Sequence, residues 1–397
     1  MEVAASAVLR VPELVALVCE YQGGKYPHLA PLLSCAIDHR TFTVDDWYYV
    51  KHMGPEPLRR FHLVFQEGYR IYGTAGLRHL LNQEGRSMRI ILSAYASLFG
   101  NVAILTYLHD HDALESTRFI VDMAALHGQL DVVRFLHRHN QPGFTSRAMD
   151  AAAHGGHLDL VRFLHDARRD GASHHAMTWA ARNGHLAVVS FLHGHRAEGC
   201  SVGALDWSAT NGHLDVVRFL HSHRSEGGTT EAIDGAAAHG HLDVVRFLWE
   251  ERRVEGCTAH ALNGAAANGH LDVVRYLTER TTAPATTAAL DNAATYGHLE
   301  VVEYLHTYRR EGATTRAMDG AARRGHLPVI RFLHMHRAEG ATVAAMDLAA
   351  QHGHLDVVQF LHTHRSEGWS TNAFVWRDGA NPHGDVVAYL RSVQAHA

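Results

Sequence analysis

Gly-His-Leu-Asp-Val-Val-Arg-Phe-Leu-His, residues Gly212 to His221, is the phrase on which the reading of this chain turns. Close copies begin at Gly156, Gly184, Gly240, Gly269, Gly297, Gly325 and Gly353, and rougher ones at Gly100 and Gly128. Successive glycines stand 28 residues apart, with one step of 29 between Gly240 and Gly269. A fixed period of about 20–50 residues is the mark of stacked repeats, each too small to bury its apolar side alone. The 397 residues would otherwise suggest about two or three domains. A stack escapes the surface-to-volume limit behind that expectation.

Working outward from the phrase, a hydroxyl residue stands eleven positions before each glycine from Gly128 on: Thr117, Thr145, Ser173, Ser201, Thr229, Thr258, Thr286, Thr314 and Thr342, with Ser370 continuing the series. Ser and Thr cap helix N-termini because their oxygen accepts from first-turn amides. Glycine two residues earlier, as in Gly199-Cys200-Ser201 and Gly340-Ala341-Thr342, suits a left-handed C-cap closing the preceding helix. Each unit therefore reads as cap, helix A, a Gly-His turn, helix B and a glycine stop. In helix A, Ala-Ala pairs allow close approach, and Met149, Leu205, Ile233, Leu262, Leu290, Met318 and Met346 point to the core. In helix B, Leu214, Val216, Val217, Phe219 and Leu220 make the apolar face, leaving Asp215, Arg218 and Ser222 to water. No stretch alternates in strand fashion, so the expected fold is all-α: antiparallel helix-turn-helix repeats stacked into a solenoid.

Residues 1–86 lack the phrase and read as an irregular helical N-terminal cap, with Ile71 to Gly85 a candidate worn repeat. The alternative is a small docking segment around Val11 to Trp47. Residues 87–397 hold about ten repeats and a degenerate C-terminal capping unit.

Net charge is −5 with histidine neutral, which gives no bulk attraction to nucleic acid or anionic lipid. The N-terminus lacks a basic start, and the longest near-apolar run, Ile90 to Phe99, falls short of the roughly 20 residues a membrane span needs. Cys200 and Cys257 occupy the same slot two repeats apart, beyond disulfide reach. A reduced intracellular setting, cytoplasmic or nuclear, and a monomer are expected.

Motifs for phosphate loops, zinc proteases and paired cysteines are absent from the sequence. The pairs His137/His139, His193/His195, His221/His223, His334/His336 and His362/His364 are spaced by two. On a helix such pairs diverge by about 200° and cannot chelate. No metal, cofactor or catalytic residue is expected. Protonating all 36 histidines would nonetheless load the stack with positive charge below about pH 6. The recurring Asp122, Asp150, Asp206, Asp234, Asp291, Asp319 and Asp347, with Thr178 and Asn263 elsewhere in the slot, are evenly spaced single carboxylates. Each is expected to bond a donor in the next unit.

Variation inside this fixed frame points to a binding surface. The residue after the Asp is Trp179, Trp207 or Trp376 in some units and Gly235, Gly264 or Gly320 in others. The two before Gly-His include Arg182-Asn183, Asn211, His239, Tyr296, Arg323-Arg324 and His352. Trp and Arg are favoured contact residues at interfaces. These positions are the candidate partner-binding residues.

With those residues in view, the array resembles the ankyrin repeat family. Ala-Ala-x-x-Gly-His-Leu-Asp-Val-Val-x-Phe-Leu, as in Ala236 to Leu248, is similar to the second half of the ankyrin consensus and recurs over roughly residues 90–395. An ankyrin unit has about 33 residues. The shorter unit here lacks the β-hairpin finger and the Thr-Pro-Leu-His signature, and resembles the finger-less variety of expanded protist and giant-virus families. The resemblance implies a non-enzymatic scaffold that binds a protein partner on the face of successive A helices. A second reading is a substrate-selecting adaptor whose N-terminal segment docks a ubiquitin-ligase or signalling complex.

Overall fold

The computed structural model describes residues 55–375 and 383–394, apart from 169 and 252–255. The segment Val11 to Trp47 and Trp376 lie outside the described residues. Contacts divide the chain into two compact units, Met1–Ala180 with Ala187–Cys200, and Ala181–Leu186 with Ser201–Ala397.

Among the described residues the structure is helical, without strands. In the second unit the A helices are Gly203–Thr210, Thr230–Ala238, Ala259–Ala267, Ala288–Tyr296, Thr315–Arg323 and Val343–Gln351. They alternate with the B helices Leu214–His223, Leu242–Glu251, Leu271–Arg280, Leu299–Tyr308, Leu327–His336 and Leu355–His364. Each A helix packs on its own B helix and on the A helix of the next repeat. Such stacking makes an ankyrin-like solenoid without hairpin fingers. The first unit repeats the pattern, with A helices Arg118–Leu126 and Ser146–His154 against B helices Leu130–Arg138 and Leu158–Ala167.

The core comes from the positions the period marks. Val216, Val217 and Leu220 are buried, as are their equivalents Val244, Val245 and Leu248. Each such side chain contributes roughly 1.5–3 kcal/mol through removal from water. Alanine pairs such as Ala236-Ala237 are wholly buried. Phe219 is only half-buried, and Arg218, exposed as expected, also holds its guanidinium 5.3 Å from the ring centroid of Phe247 in the next repeat. The spacing of residues showed the helix face but not this contact across repeats.

One cap expectation is corrected. Gly199 has φ +72°, in the left-handed region, yet the preceding helix already ends at His195. The glycine reverses the loop into Ser201 and is no C-cap.

Pro55–Phe99 is assigned as one helical stretch of 45 residues, but it is not straight. His62 Nδ1 lies 2.9 Å from the hydroxyl of Tyr95, 33 residues on, a distance a straight helix would stretch to about 50 Å. The chain must double back, and Gly73, at φ +53°, marks a reversal. Past it, Gly76, Leu77 and Leu80 are buried, each 28 residues before buried Ile104, Leu105 and Leu108. Phe61, Phe65 and Tyr95 close this end as a ring cluster. Burial pushes the Tyr95 phenol up to about 12.

Candidate partner-binding face

Two latches hold repeat to repeat, and they fix which side chains remain for other work. The first joins the mid-A aspartate to the next cap. Asp206 accepts from the Thr229 amide at 2.7 Å and hydroxyl at 2.9 Å. Asp234 and Thr258, Asp291 and Thr314, Asp319 and Thr342, and Asp347 and Ser370 repeat the pair. In the first unit Asp150 does the same with Ser173, and burial raises its carboxyl against the lowering effect of those two bonds. Asn263 substitutes by donating to Thr286 Oγ1 at 2.9 Å. The same hydroxyl caps its own helix, as when Thr229 Oγ1 accepts from the Glu231 amide at 3.2 Å. Serving both joints, these hydroxyls and carboxylates form no acid–base pair.

The second latch is the Gly-His turn. Gly212 has φ +77°, and a Cβ there would lie 2.5 Å from Nδ1 of His241 in the next repeat. Glycine is required twice over, by conformation and by space. The histidine ring spans the joint: His298 Nε2 lies 3.0 Å from the carbonyl oxygen of Ala267, and His157 repeats this with Leu126 at 2.9 Å. Gln129 substitutes by donating to Leu98 O at 2.8 Å.

The paired histidines of the B helices have separate tasks. His223 stacks on Phe219 of its own helix at 4.4 Å, while His221 meets Phe247 of the next repeat edge-on at 5.5 Å. Among the described residues no group of three or more His, Cys, Asp or Glu is placed to hold a metal ion.

A third device, Arg-x-Glu after helix B, escaped the sequence reading. Arg337 pairs with Glu339, whose Oε1 also accepts from the Ala313 amide of the preceding repeat at 3.4 Å. Arg365 with Glu367 and Ala341 repeat it. The Arg365 hydrogen bond holds the Glu367 carboxyl down at about 2 against the raising effect of burial. Recurrence 26 residues from a loop amide was the available signal.

Against this frame the variable positions prove to be packing partners of one another. Gly235 and Gly320 are small because Thr210 and Thr295 of the preceding repeats lean over them, and a Cβ would run into each hydroxyl. Where the slot holds tryptophan, the facing residue is large and polar. Trp179 is half-buried, stacked on His175 at 4.8 Å and edge-on to His154 at 6.0 Å. Trp207 is 41% exposed and lies under the Arg182 guanidinium at 5.3 Å.

Arg182 and Asn183 are half-buried, and the Arg182 carbonyl accepts from Asn211 Nδ2 at 2.7 Å. His239 and His352 are exposed, with Nδ1 2.9 Å from the Gly235 and Leu348 carbonyls. Tyr296 is 47% exposed, and the Arg324 guanidinium stands 4.4 Å above its ring. Arg323 is exposed, its carbonyl 3.2 Å from His354 Nε2. Burial, then the charge of Arg324 and the neighbouring His298 and His354, lowers the His326 pKa. Tyr296, Arg323, Arg324 and His352 therefore come from three consecutive A helices and their turns, and Arg182, Asn211 and Trp207 form a second cluster.

A family model of ankyrin repeats in three copies matches residues 148–231 and 234–319. No curated protein matches the chain. No helix among the described residues is long and apolar enough to cross a membrane.

Proposed function

Since the chain is an ankyrin repeat protein, a class that generally mediates protein–protein interaction, we propose that it is a non-enzymatic scaffold binding a protein partner on its A-helix face. The observation that carries this reading is the pair of exposed aromatic–arginine stacks, Trp207 with Arg182 and Tyr296 with Arg324. Trp, Tyr and Arg are the residues most enriched where binding energy concentrates. A guanidinium held over a ring is fixed in place before a partner arrives, so less entropy is lost on contact. In the second unit Trp207, Arg182, Asn183 and Asn211, and His239, Tyr296, Arg323, Arg324 and His352, supply the contact residues on this reading, with Trp179 the candidate of the first unit.

The test is capture of partners from native lysate by the full chain, with and without Trp207→Ala and Tyr296→Ala. Both rings are nearly half exposed, so thermal melting should stay close to the parent while capture falls by tenfold or more, about 1.4 kcal/mol. Undiminished capture by the double variant would place the binding face elsewhere.

A further inference from the structure

Resting on that reading of the A-helix face, we propose that Ala288–Tyr296, Thr315–Arg323 and Val343–Gln351 form a docking site for an acidic segment of the partner protein, with Arg316, Arg323 and Arg324 taking its carboxylates. Arg316, Gly320 and Arg323 sit at i, i+4 and i+7 of the middle helix and therefore on one stripe. Arg316 and Arg323 are both exposed, and neither they nor Arg324 has an ion pair among the described residues. The middle helix packs directly against the A helix on either side.

The charge around the stripe is one-sided. The carboxylates on these three helices are Asp291, Asp319 and Asp347, and each has both oxygens taken by the cap of the following repeat. Glu311 and Glu339, in the adjoining loops, are held by Arg309 and Arg337. The arginines thus face solvent with no local anion to answer them, on a chain whose net charge is −5. Arg324 is already fixed over Tyr296, leaving the guanidinium edge for a carboxylate and the exposed part of the ring for an apolar neighbour.

A compact basic spot suits a few carboxylates better than a nucleic-acid backbone. Arg316 and Arg323 are separated by about 10 Å along the helix. The flanking A helices, AALDNAATY and VAAMDLAAQ, carry no Lys or Arg to extend a track for regularly spaced phosphates.

The test is fluorescence anisotropy of the full chain with three fluorescein-labelled probes of about twelve units each, long enough to cross the patch: a Glu-Glu-Leu repeat peptide, its Lys-Lys-Leu counterpart, and oligothymidine. The glutamate peptide should bind, with affinity falling as salt rises. Arg316→Glu/Arg323→Glu/Arg324→Glu should weaken it by about tenfold or more, whereas Arg138→Glu, in a B helix of the first unit, should leave it unchanged. Arg316→Glu alone, at an exposed site, repeats the test if the triple variant melts early. No binding of the glutamate peptide, binding indifferent to these substitutions, or tighter binding of oligothymidine would overturn the acidic-segment proposal. Retained sensitivity of lysate capture to Trp207→Ala in that event would leave the scaffold reading standing.

Discussion

The A and B sides of the second unit handle aromatic residues in opposite ways. On the B side Phe247, Tyr276, Tyr304 and Phe360 recur at one position, each beneath an arginine of the preceding repeat: Arg218, Arg246, Arg275 and Arg331. On the A side aromatics are sporadic, and Trp207 and Tyr296 stay substantially exposed although arginines stack on them. The repeated arrangement serves the stack, recurring at four of its joints. The unrepeated one has no such duty, and it is the side on which the proposed partner face lies.

The comparison can be broken most sharply at the latches. Asp234→Ala should destabilise the chain by about 2–4 kcal/mol, because it strands the buried end of a charged two-bond contact with Thr258. Denaturant unfolding of the full chain measures this, and a loss no larger than that of Trp207→Ala would erase the distinction between the sides. Next in size is Gly235→Ala, expected to cost about 1–3 kcal/mol through the clash with Thr210. Adding Thr210→Ala should restore a good part of it, and a double-mutant cycle without coupling would separate the two positions.

A smaller effect follows from acid. His127, His241, His306 and His326 have folded pKa values lowered, chiefly by burial. The unfolded chain therefore binds more protons as pH falls through about 6.5, and stability should decline there. Glu367, at about 2 when folded, contributes stability above its unfolded pKa and loses it only as pH drops from roughly 4.3 toward 2. Melting curves across pH 4–8 should show the histidine-linked decline first. The smallest change belongs to Trp207→Ala itself, within about 0.5 kcal/mol of the parent because the ring is surface-exposed. A larger loss would move Trp207 from recognition to packing.

Much of the frame was legible because it is periodic. The hydroxyl caps, the alanine seams, Val216, Val217 and Leu220, and the bonding of the mid-A aspartates from Asp150 on to a donor in the next unit follow from spacing and chemistry alone, though not which donor it is. Contacts between different repeats were harder to see. Arg218 reads as a solvent residue in its own helix, and only stacking brings it over Phe247. The glycines in the variable slot read as free choices, yet Thr210 and Thr295 dictate Gly235 and Gly320. Trp179, on the same reasoning, is a packed residue as much as an exposed one. For the candidate face, spacing gave the positions but not the pairing of rings with guanidinium groups.

The single long step between Gly240 and Gly269 carries its own lesson. Asp234 reaches Thr258 across 24 positions where the neighbouring joints span 23, and both bonds are kept. The surplus residue is absorbed before the clasp closes, so the clasp rather than chain length sets the registration of successive modules. One residue more between Asp234 and Thr258 therefore leaves the ladder on either side undisturbed.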